Sequence, residues 1–410
     1  MTNRRSFLKQ ASLAFAPFIL PSHIWSAKGD TSPNNRINIA IIGPGKMGRG
    51  HAHKLIRNPR AQLTGFAEIA DVRTQHTKEL IEKHYSKNTP GDQWKGLKIT
   101  KDYLELLEDK SLDAVLIATP DHWHGEATIR AARAKKHVYC EKPISLTIKE
   151  GRAMANAVKE NGVVFQTGSQ QRTEYGGKFR RTVELVRSGA IGELKKIRVC
   201  VGAPPKTCDL PTEPIPEGID WDAWLGPAPK RGFNKILCPD DVHNHFPAWR
   251  NYREYCNGKL ADIGAHHFDI GQWAMDADDT GPVKILPPEE GESELKLIYA
   301  NGVEVIHGRD PEWNGGTHLL RHRRHHLGGP RALEIRSGKP DQGVRGIGDL
   351  APTEESPRRL AGLHSLRRNA HGSRRSWSPH RLHLPALQHR IRTPTRAYLG
   401  SQEGSICGGR

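Results

Sequence analysis

Apolar and polar positions divide the chain into three stretches with different rhythms. In the first, short apolar runs alternate with segments of helical period. Residues 36–42 (Arg36-Ile37-Asn38-Ile39-Ala40-Ile41-Ile42) form an apolar, β-branched run ending at Gly43, the pattern of a central parallel strand buried on both faces. A helix is predicted from Lys46 through Ile56, stopped by Asn58-Pro59. A strand over 62–67, a helix over 72–84, a polar loop over 86–96 and a helix over 103–108 follow. The strand 114–118 is closed by Thr119-Pro120-Asp121-His122-Trp123-His124. A helix (125–135), a strand (137–140), a helix (148–160) and a strand (163–166) complete the stretch. Strands alternating with helices predict a doubly wound parallel α/β sheet.

After Gln166 the alternation stops. Residues 179–187 have helical spacing, ended by Ser188-Gly189, and 194–201 read as a strand. A Pro-rich loop (204–216) precedes Trp221-Asp222-Ala223-Trp224-Leu225-Gly226-Pro227. The pattern alone supports mixed α and β with long loops. Beyond Gly315-Gly316 neither period is visible, and prolines and glycines recur.

Charge follows the same boundary. The formal net charge of +17 invites a nucleic-acid reading until it is located: residues 317–410 hold 18 Lys/Arg against 6 Asp/Glu. The preceding 316 residues hold 44 against 39, so the body is nearly balanced and no specific nucleic-acid partner is expected. Of the 18 basic residues in the tail 17 are arginine, whereas lysine predominates before it, and no phenylalanine follows Phe268. Composition predicts disorder for 317–410. Three origins compete: a basic arm for an anionic surface, a His-rich metal tract of irregular spacing, and an out-of-frame translation that replaces the original ending.

The other end of the chain reads as an export signal. Asn3-Arg4-Arg5-Ser6-Phe7-Leu8-Lys9, the apolar stretch 11–20 and a small-residue site near Ser26-Ala27 form a twin-arginine pattern over 1–27. It predicts the twin-arginine export machinery as a partner and a periplasmic or otherwise extracytoplasmic location. No other run approaches the roughly 20 apolar residues of a membrane span. The six cysteines (140, 200, 208, 238, 256, 407) form no Cys-x-x-Cys pair and no metal-ligand spacing with histidine, so no metal is expected. Outside the cytoplasm a disulfide among 200, 208, 238 and 256 is allowed, with no pairing preferred.

Three motifs carry chemistry. In Gly43-Pro44-Gly45-Lys46-Met47-Gly48, Gly43 permits a tight turn, Gly45 lets backbone approach a pyrophosphate, and Gly48 allows close helix–strand packing. The free amides of the helix start favour the phosphate charge. Glu68 ends the second strand 20 residues beyond Gly48, where a carboxylate grips ribose hydroxyls and disfavours the extra phosphate of NADP. Asp71 is a competing candidate. The second motif, Glu141-Lys142-Pro143, puts a lysine at the carboxyl end of a strand, facing the crevice of such a fold. In the third, Gly258-Lys259-Leu260-Ala261-Asp262-Ile263-Gly264-Ala265-His266, an acid one helical turn before a histidine is expected to set its tautomer and raise its pKa.

These motifs, with Ala118-Thr119-Pro120 and Asp262-Ile263-Gly264-Ala265-His266 in the same order, resemble the glucose–fructose oxidoreductase/inositol dehydrogenase/MocA (Gfo/Idh/MocA) family from about Arg36 to about His307. The Asp121-His122-Trp123-His124 wording and the twin-arginine leader are similar to its exported bacterial branch. The resemblance implies a Rossmann domain (34–168) and an α+β substrate domain (169–316) built on an open, mostly antiparallel sheet through which family members often associate. The family implies more strands and a closing helix where this tail departs from it, which favours the out-of-frame origin and leaves that sheet expected to be incomplete. The implied activity is NAD(P)-dependent oxidation or reduction of a sugar, polyol or related hydroxy compound, with NAD favoured and NADP possible. His266 then serves as acid/base, Asp262 as its partner and a substrate contact, and Lys142 as the charge that steadies an alkoxide.

Cofactor-binding candidates are Gly43, Gly45, Lys46, Met47, Gly48, Glu68, Thr119, Pro120, His122, Glu141 and Lys142. Trp123, His124, Arg172, His245, Trp249 and Arg250 are candidates for a polar substrate pocket, against ordinary loop packing. His267 and Asp269 read as packing or capping residues. Rival functions are an NAD-dependent glycosidase without net redox change, which Lys142 disfavours, and a non-catalytic NAD-binding sensor or scaffold.

Overall fold

The computed structural model describes residues 36–87, 96–290, 294–308, 316–321 and 333–335. The export pattern, Cys407 and most of the Arg-rich tail lie outside them. Among the described residues no helix is long and apolar enough to cross a membrane.

Six parallel strands form the first sheet. β1 (Ile37–Ile42) leads through the glycine turn into α1 (Lys46–Leu55), and β2 (Ala61–Ala67) into α2 (Asp71–Ser86). β3 (Lys98–Thr100) precedes α3 (Tyr103–Leu107), and β4 (Ala114–Ile117) runs through a 3-10 turn into α4 (His124–Arg133). β5 (His137–Cys140) precedes α5 (Ile148–Asn161), and β6 (Phe165–Thr167) closes the sheet. The order β3-β2-β1-β4-β5-β6 reverses between β1 and β4, which opens a crevice beyond the carboxyl ends of those strands. Successive side chains explain why the strands are apolar throughout. Ala40, Ile42, Val115 and Ile117 pack on one face with Ala127 and Ala131 of α4, while Ile41, Leu63 and Leu116 pack on the other with Ala52 of α1 and Ile81 of α2. β3 carries no apolar run and was not predicted; Gly65 of β2 admits it, since a Cβ there would lie 2.7 Å from the Lys98 carbonyl oxygen.

The second sheet follows α6 (Lys178–Arg187) and β7 (Leu194–Cys200). Next come α7 (Trp221–Leu225), α8 (Gly258–Asp262) and α9 (Gly264–Ala274), then β8 (Lys284–Leu286), β9 (Leu295–Ile298), β10 (Glu304–His307), β11 (Gly316–Arg321) and β12 (Leu333–Ile335). The order is β12-β11-β7-β10-β9-β8, antiparallel except for the β7–β10 pair. Val183 of α6, Ile270 of α9, Ile197 and Val199 of β7, Val305 of β10 and Leu319 of β11 share one core.

Two expectations change here. The tail does not become irregular at Thr317: Gly316–Arg321 pairs with β7 from Cys200 to Leu194, and Thr317 and Leu319 are fully buried. Alternation of Thr317 and Leu319 toward the core is a strand pattern too short to stand out amid arginine. Among the described residues this sheet has six strands, two of them from beyond Gly315. The disulfide allowed among Cys200, Cys208, Cys238 and Cys256 is not formed; all four are free thiols, and burial raises the pKa of Cys238 to about 11. The long loops between β7 and α8 instead build an aromatic core of Trp221, Trp224, Phe233, Trp249, Tyr252 and Tyr255.

Candidate active site

The crevice at the switch point is a cleft whose floor is the glycine turn. Gly43 takes φ +79°, and a Cβ there would sit 2.8 Å from Thr119 Cγ2; at Gly48 a Cβ would meet the Gly43 carbonyl oxygen at 2.6 Å. Gly45, by contrast, has open space where its Cβ would be. It N-caps α1 without a side-chain hydrogen bond, so the first-turn amides remain available ahead of the Arg49 N–Gly45 O bond at 2.9 Å. Nothing acidic lies in that first turn. Thr119 Oγ1, buried at the cleft wall, has no partner among the described residues. An open glycine, uncapped amides and an orphaned hydroxyl in one cleft fit a dinucleotide.

Gly43, Gly45, Lys46, Met47, Glu68, Thr119 and Pro120 line this cleft, as do Trp123, Trp249 and Arg250. Gly48 serves packing and does not line it. Glu68 is buried, and its hydrogen bonds from Ala70 N and Arg73 Nε, both 3.0 Å, fall on Oε1. Asp71, the competing acid, pairs instead with Lys101 at 2.8 Å and lies outside the cleft lining. The roof comes from the loop after Leu237. Arg73 donates to the Pro239 carbonyl at 2.7 Å, Arg49 donates to the His243 carbonyl at 2.6 Å, and Lys46 Nζ lies 4.2 Å from the Phe246 ring centre.

Beside the cleft, and sharing Met47, Thr119, Phe246 and Arg250 with it, is a larger cavity of about 1090 Å³. Glu141, Lys142, Asp262 and His266 line it. Lys142, joined to Pro143 by a cis peptide bond, reaches α8: Nζ donates to the Asp262 carbonyl at 2.8 Å and to Asp262 Oδ1 at 2.5 Å. Arg250 Nε lies 3.4 Å from Asp262 Oδ2 and its guanidinium stacks 4.0 Å from the Trp249 ring centre. The two halves of the chain thus meet at a carboxylate held by two cations.

That arrangement corrects the reading of Asp262 as the partner of His266. Among the described residues Asp262 makes no hydrogen bond to the His266 ring, because both its oxygens face cations. Helix α8 ends at Asp262 and α9 begins at Gly264. Burial first, and the nearby Lys142 charge after it, push the His266 pKa down to about 4 against the pull of Glu141 and Asp262. The expected increase does not occur. His266 is a neutral imidazole at neutral pH, in the form that accepts a proton.

Other candidates are placed elsewhere. His122 lines neither space: it is buried between Trp224 and Tyr255, with Nε2 3.0 Å from the Trp224 carbonyl. Trp123 bonds the same carbonyl through Nε1 and faces the cofactor cleft, as does Trp249; neither lines the substrate cavity. His124 borders the cavity, but its two ring nitrogens lie 2.6 Å from the Pro143 carbonyl and 3.0 Å from the Thr119 carbonyl, so it braces the Lys142 loop. Arg172 is consumed by Asp269 and Asp278, with contacts of 2.7–2.9 Å, and reaches neither space. His245 is exposed outside the two spaces, and His243 takes its place at the cleft. Glu141 faces the cavity rather than the cofactor cleft.

Sequence reasoning missed several groups because their partners are distant in the chain. His51 Nε2 lies 2.6 Å from Glu141 Oε1, and Gln170 donates to the same oxygen at 2.5 Å. Burial alone would raise the Glu141 pKa; the hydrogen bond and charge of His51 outweigh it, and the carboxyl ends below its ordinary range. Asp121, also lining the cavity, is pushed up to about 7 by burial, with a Cys256 hydrogen bond opposing and the Asp262 charge adding.

Fold and site define a two-domain protein of the dinucleotide-binding Rossmann class. Residues 37–169 match the model of an oxidoreductase family with an NAD-binding Rossmann fold, and 201–305 match that family's C-terminal alpha/beta domain, together more than half of the chain. The chain belongs to the Gfo/Idh/MocA oxidoreductase family. It is similar to an uncharacterized oxidoreductase, YrbE, of Bacillus subtilis (31% identical over 271 residues, 66% of this chain and 58% of the relative). It is similar also to a myo-inositol 2-dehydrogenase of Thermotoga maritima (33% over 165 residues, 40% and 44%). The chain spans about half the length of the curated relatives it matches. Among solved structures it overlays the 3-ketoreductase KijD10 of Actinomadura kijaniata, a complex with NADP and TDP-benzene, at a TM-score of 0.46 and 18% identity, covering 70% of this chain and 74% of that one.

Proposed function

We propose that this chain is an NAD(P)-dependent oxidoreductase that interconverts a secondary hydroxyl and a ketone on a sugar or polyol. The observation that carries the reading is the Lys142–Asp262 pair in the cavity that adjoins the cofactor cleft, beside a neutral His266. The relatives named for inositol and anhydrofructose chemistry support the substrate class. A nicotinamide dinucleotide held by the Gly43–Gly48 turn, Glu68 and Thr119 supplies a hydride acceptor or donor when bound. Lys142 is positioned to hold the reacting oxygen as it gains negative charge. His266 takes the hydroxyl proton during oxidation and returns it during reduction. Asp262, fixed by Lys142 and Arg250, offsets the imidazolium charge that forms. NAD is favoured over NADP, because Glu68 closes the ribose end and the neighbouring Arg73 is spent on Glu68 and on the Pro239 carbonyl.

The test is a panel of inositols, pyranoses and their keto forms, with NAD or NADP, following reduced-nicotinamide absorbance. Turnover confined to hydroxy acids or simple alcohols would contradict the substrate class. Export is proposed on the Arg4-Arg5 pattern alone. Expression with Arg4 and Arg5 replaced by lysine should then trap the protein in the cytoplasm; unchanged fractionation would reject it.

A further inference from the structure

His267, next to the proposed acid/base, has no role in the reaction above. It lies in the first turn of α9, is fully buried, and lines the same cavity as His266. Its Nδ1 lies 2.9 Å from the hydroxyl of Thr317 on β11, and that hydroxyl lies 3.1 Å from the His267 backbone carbonyl. A hydroxyl has one proton to give, and a carbonyl oxygen can only accept. Thr317 Oγ1 therefore donates to the carbonyl and accepts from the ring, which places the ring proton on Nδ1. Burial, helped by His266 whenever that ring is protonated, lowers the His267 pKa to about 4, so no second proton arrives at neutral pH. Nε2 is left as a bare lone pair. It is buried and has no hydrogen-bond partner among the described residues. A buried acceptor with no donor costs stability unless something supplies the proton. The nearest unfilled space is the cavity that His267 borders.

We propose that His267 is a specificity-determining residue whose Nε2 accepts a hydrogen bond from a substrate hydroxyl, and that Thr317 is the positioning residue that fixes its tautomer. The proposal rests on the oxidoreductase reading of the cavity. It makes the opening residues of the Arg-rich tail part of the site: β11 carries Thr317, and no residue before Gly316 supplies that hydroxyl. The acceptor is specific in a chemical sense. A hydroxyl can donate to it, whereas a ketone, a fluorine or a missing oxygen leaves it unpaired.

The test uses the full-length, NAD-saturated protein with 15N-labelled histidine. Long-range proton–nitrogen spectra at neutral pH report the tautomer, with His267 assigned by difference from His267→Gln. The expected result is a protonated Nδ1 and a bare Nε2, kept in Thr317→Ser and lost in Thr317→Val. Saturating myo-inositol, or the panel compound turned over fastest, should move the Nε2 resonance. Thr317→Val should raise KM about tenfold, the loss of roughly one hydrogen bond, while kcat stays within about twofold and Thr317→Ser behaves as wild type. A proton on Nε2 in the wild type, or a Thr317→Val protein with unchanged tautomer and KM, overturns the proposal. Turnover without movement of Nε2 rejects this inference and spares the oxidoreductase reading. Movement of Nε2 without turnover does the reverse, and the absence of both rejects both.

Discussion

Replacing Lys142 with methionine keeps the aliphatic stem and removes the charge. Three effects can be worked out from the geometry. The Lys142 and Asp262 side chains are 15% and 13% exposed and meet at 2.5 Å, so the pair is largely desolvated. Breaking a fully buried pair costs about 3–5 kcal/mol, but Arg250 remains 3.4 Å from the other carboxylate oxygen, and about 2 kcal/mol is expected here. Catalysis loses more. The group that steadies a developing oxyanion is commonly worth roughly 10²–10³ in kcat, and Lys142 is the lysine in position to do it. Cofactor affinity should change by no more than about threefold, which is under 1 kcal/mol, since Lys142 lines the cavity and not the cleft. The variant carries a further signature: the Lys142 charge is the second cause of the low His266 pKa, so removing it moves that pKa upward from about 4. The acid limb of residual kcat/KM should shift to higher pH. Steady-state kinetics over pH, NAD titration by fluorescence and thermal melts measure all three. A variant that loses NAD affinity in step with turnover, or keeps its acid limb in place, refutes the reasoning.

Further outcomes follow from other contacts. Glu68→Gln removes the charge partner of buried Arg73, and should weaken NAD about tenfold while strengthening NADP; an unchanged ratio of the two dissociation constants denies Glu68 its role. In Gly48→Ala the new Cβ meets backbone at 2.6 Å, so the turn must shift, at about 1–3 kcal/mol of stability in denaturant melts and with clear loss of NAD binding. Leu319→Ala should cost about 2–4 kcal/mol because Leu319 belongs to the second core; a loss below about 0.5 kcal/mol would remove β11 from it. Three buried histidines, 122, 243 and 267, and the half-buried His266 have pKa values lowered to about 4 from the ordinary 6.5. Their unfolded forms bind protons first as pH falls, so stability is full above about pH 6.5 and falls toward pH 4, with a limiting slope of about 5 kcal/mol per unit. Urea melts across that range should show it; a flat profile would mean these rings are hydrated.

Local pattern revealed what local forces decide. The β1 run, the glycine turn and α1 are specified by neighbours within a few residues, and the predicted bounds fall within one or two positions of the observed ones. Lys142 was legible for the same reason, through its place at a strand end. Asp262 and His266 show where such reading stops. Their spacing implied a pair, but a lysine 120 residues earlier takes the carboxylate, and burial then pulls the imidazole the other way. Arg49, and the reach of Arg73 beyond Glu68, were silent because the acceptors there are backbone carbonyls of the 239–243 loop, which no side-chain pattern announces. Thr317 was hidden by composition. One buried hydroxyl and one buried leucine define its strand, and the arginines around them dominated the reading.

The central claim is that bound NAD exchanges reducing equivalents with a polyol or sugar under the control of Lys142. It is tested most directly by loading wild type and Lys142→Met with NAD, mixing each with the panel, and following reduced-nicotinamide absorbance in a single turnover. The account predicts NAD retained by both proteins and reduced only in the wild type, by at least one polyol or sugar. Equal reduction in both proteins, or wild type that holds NAD and never reduces it, contradicts the account.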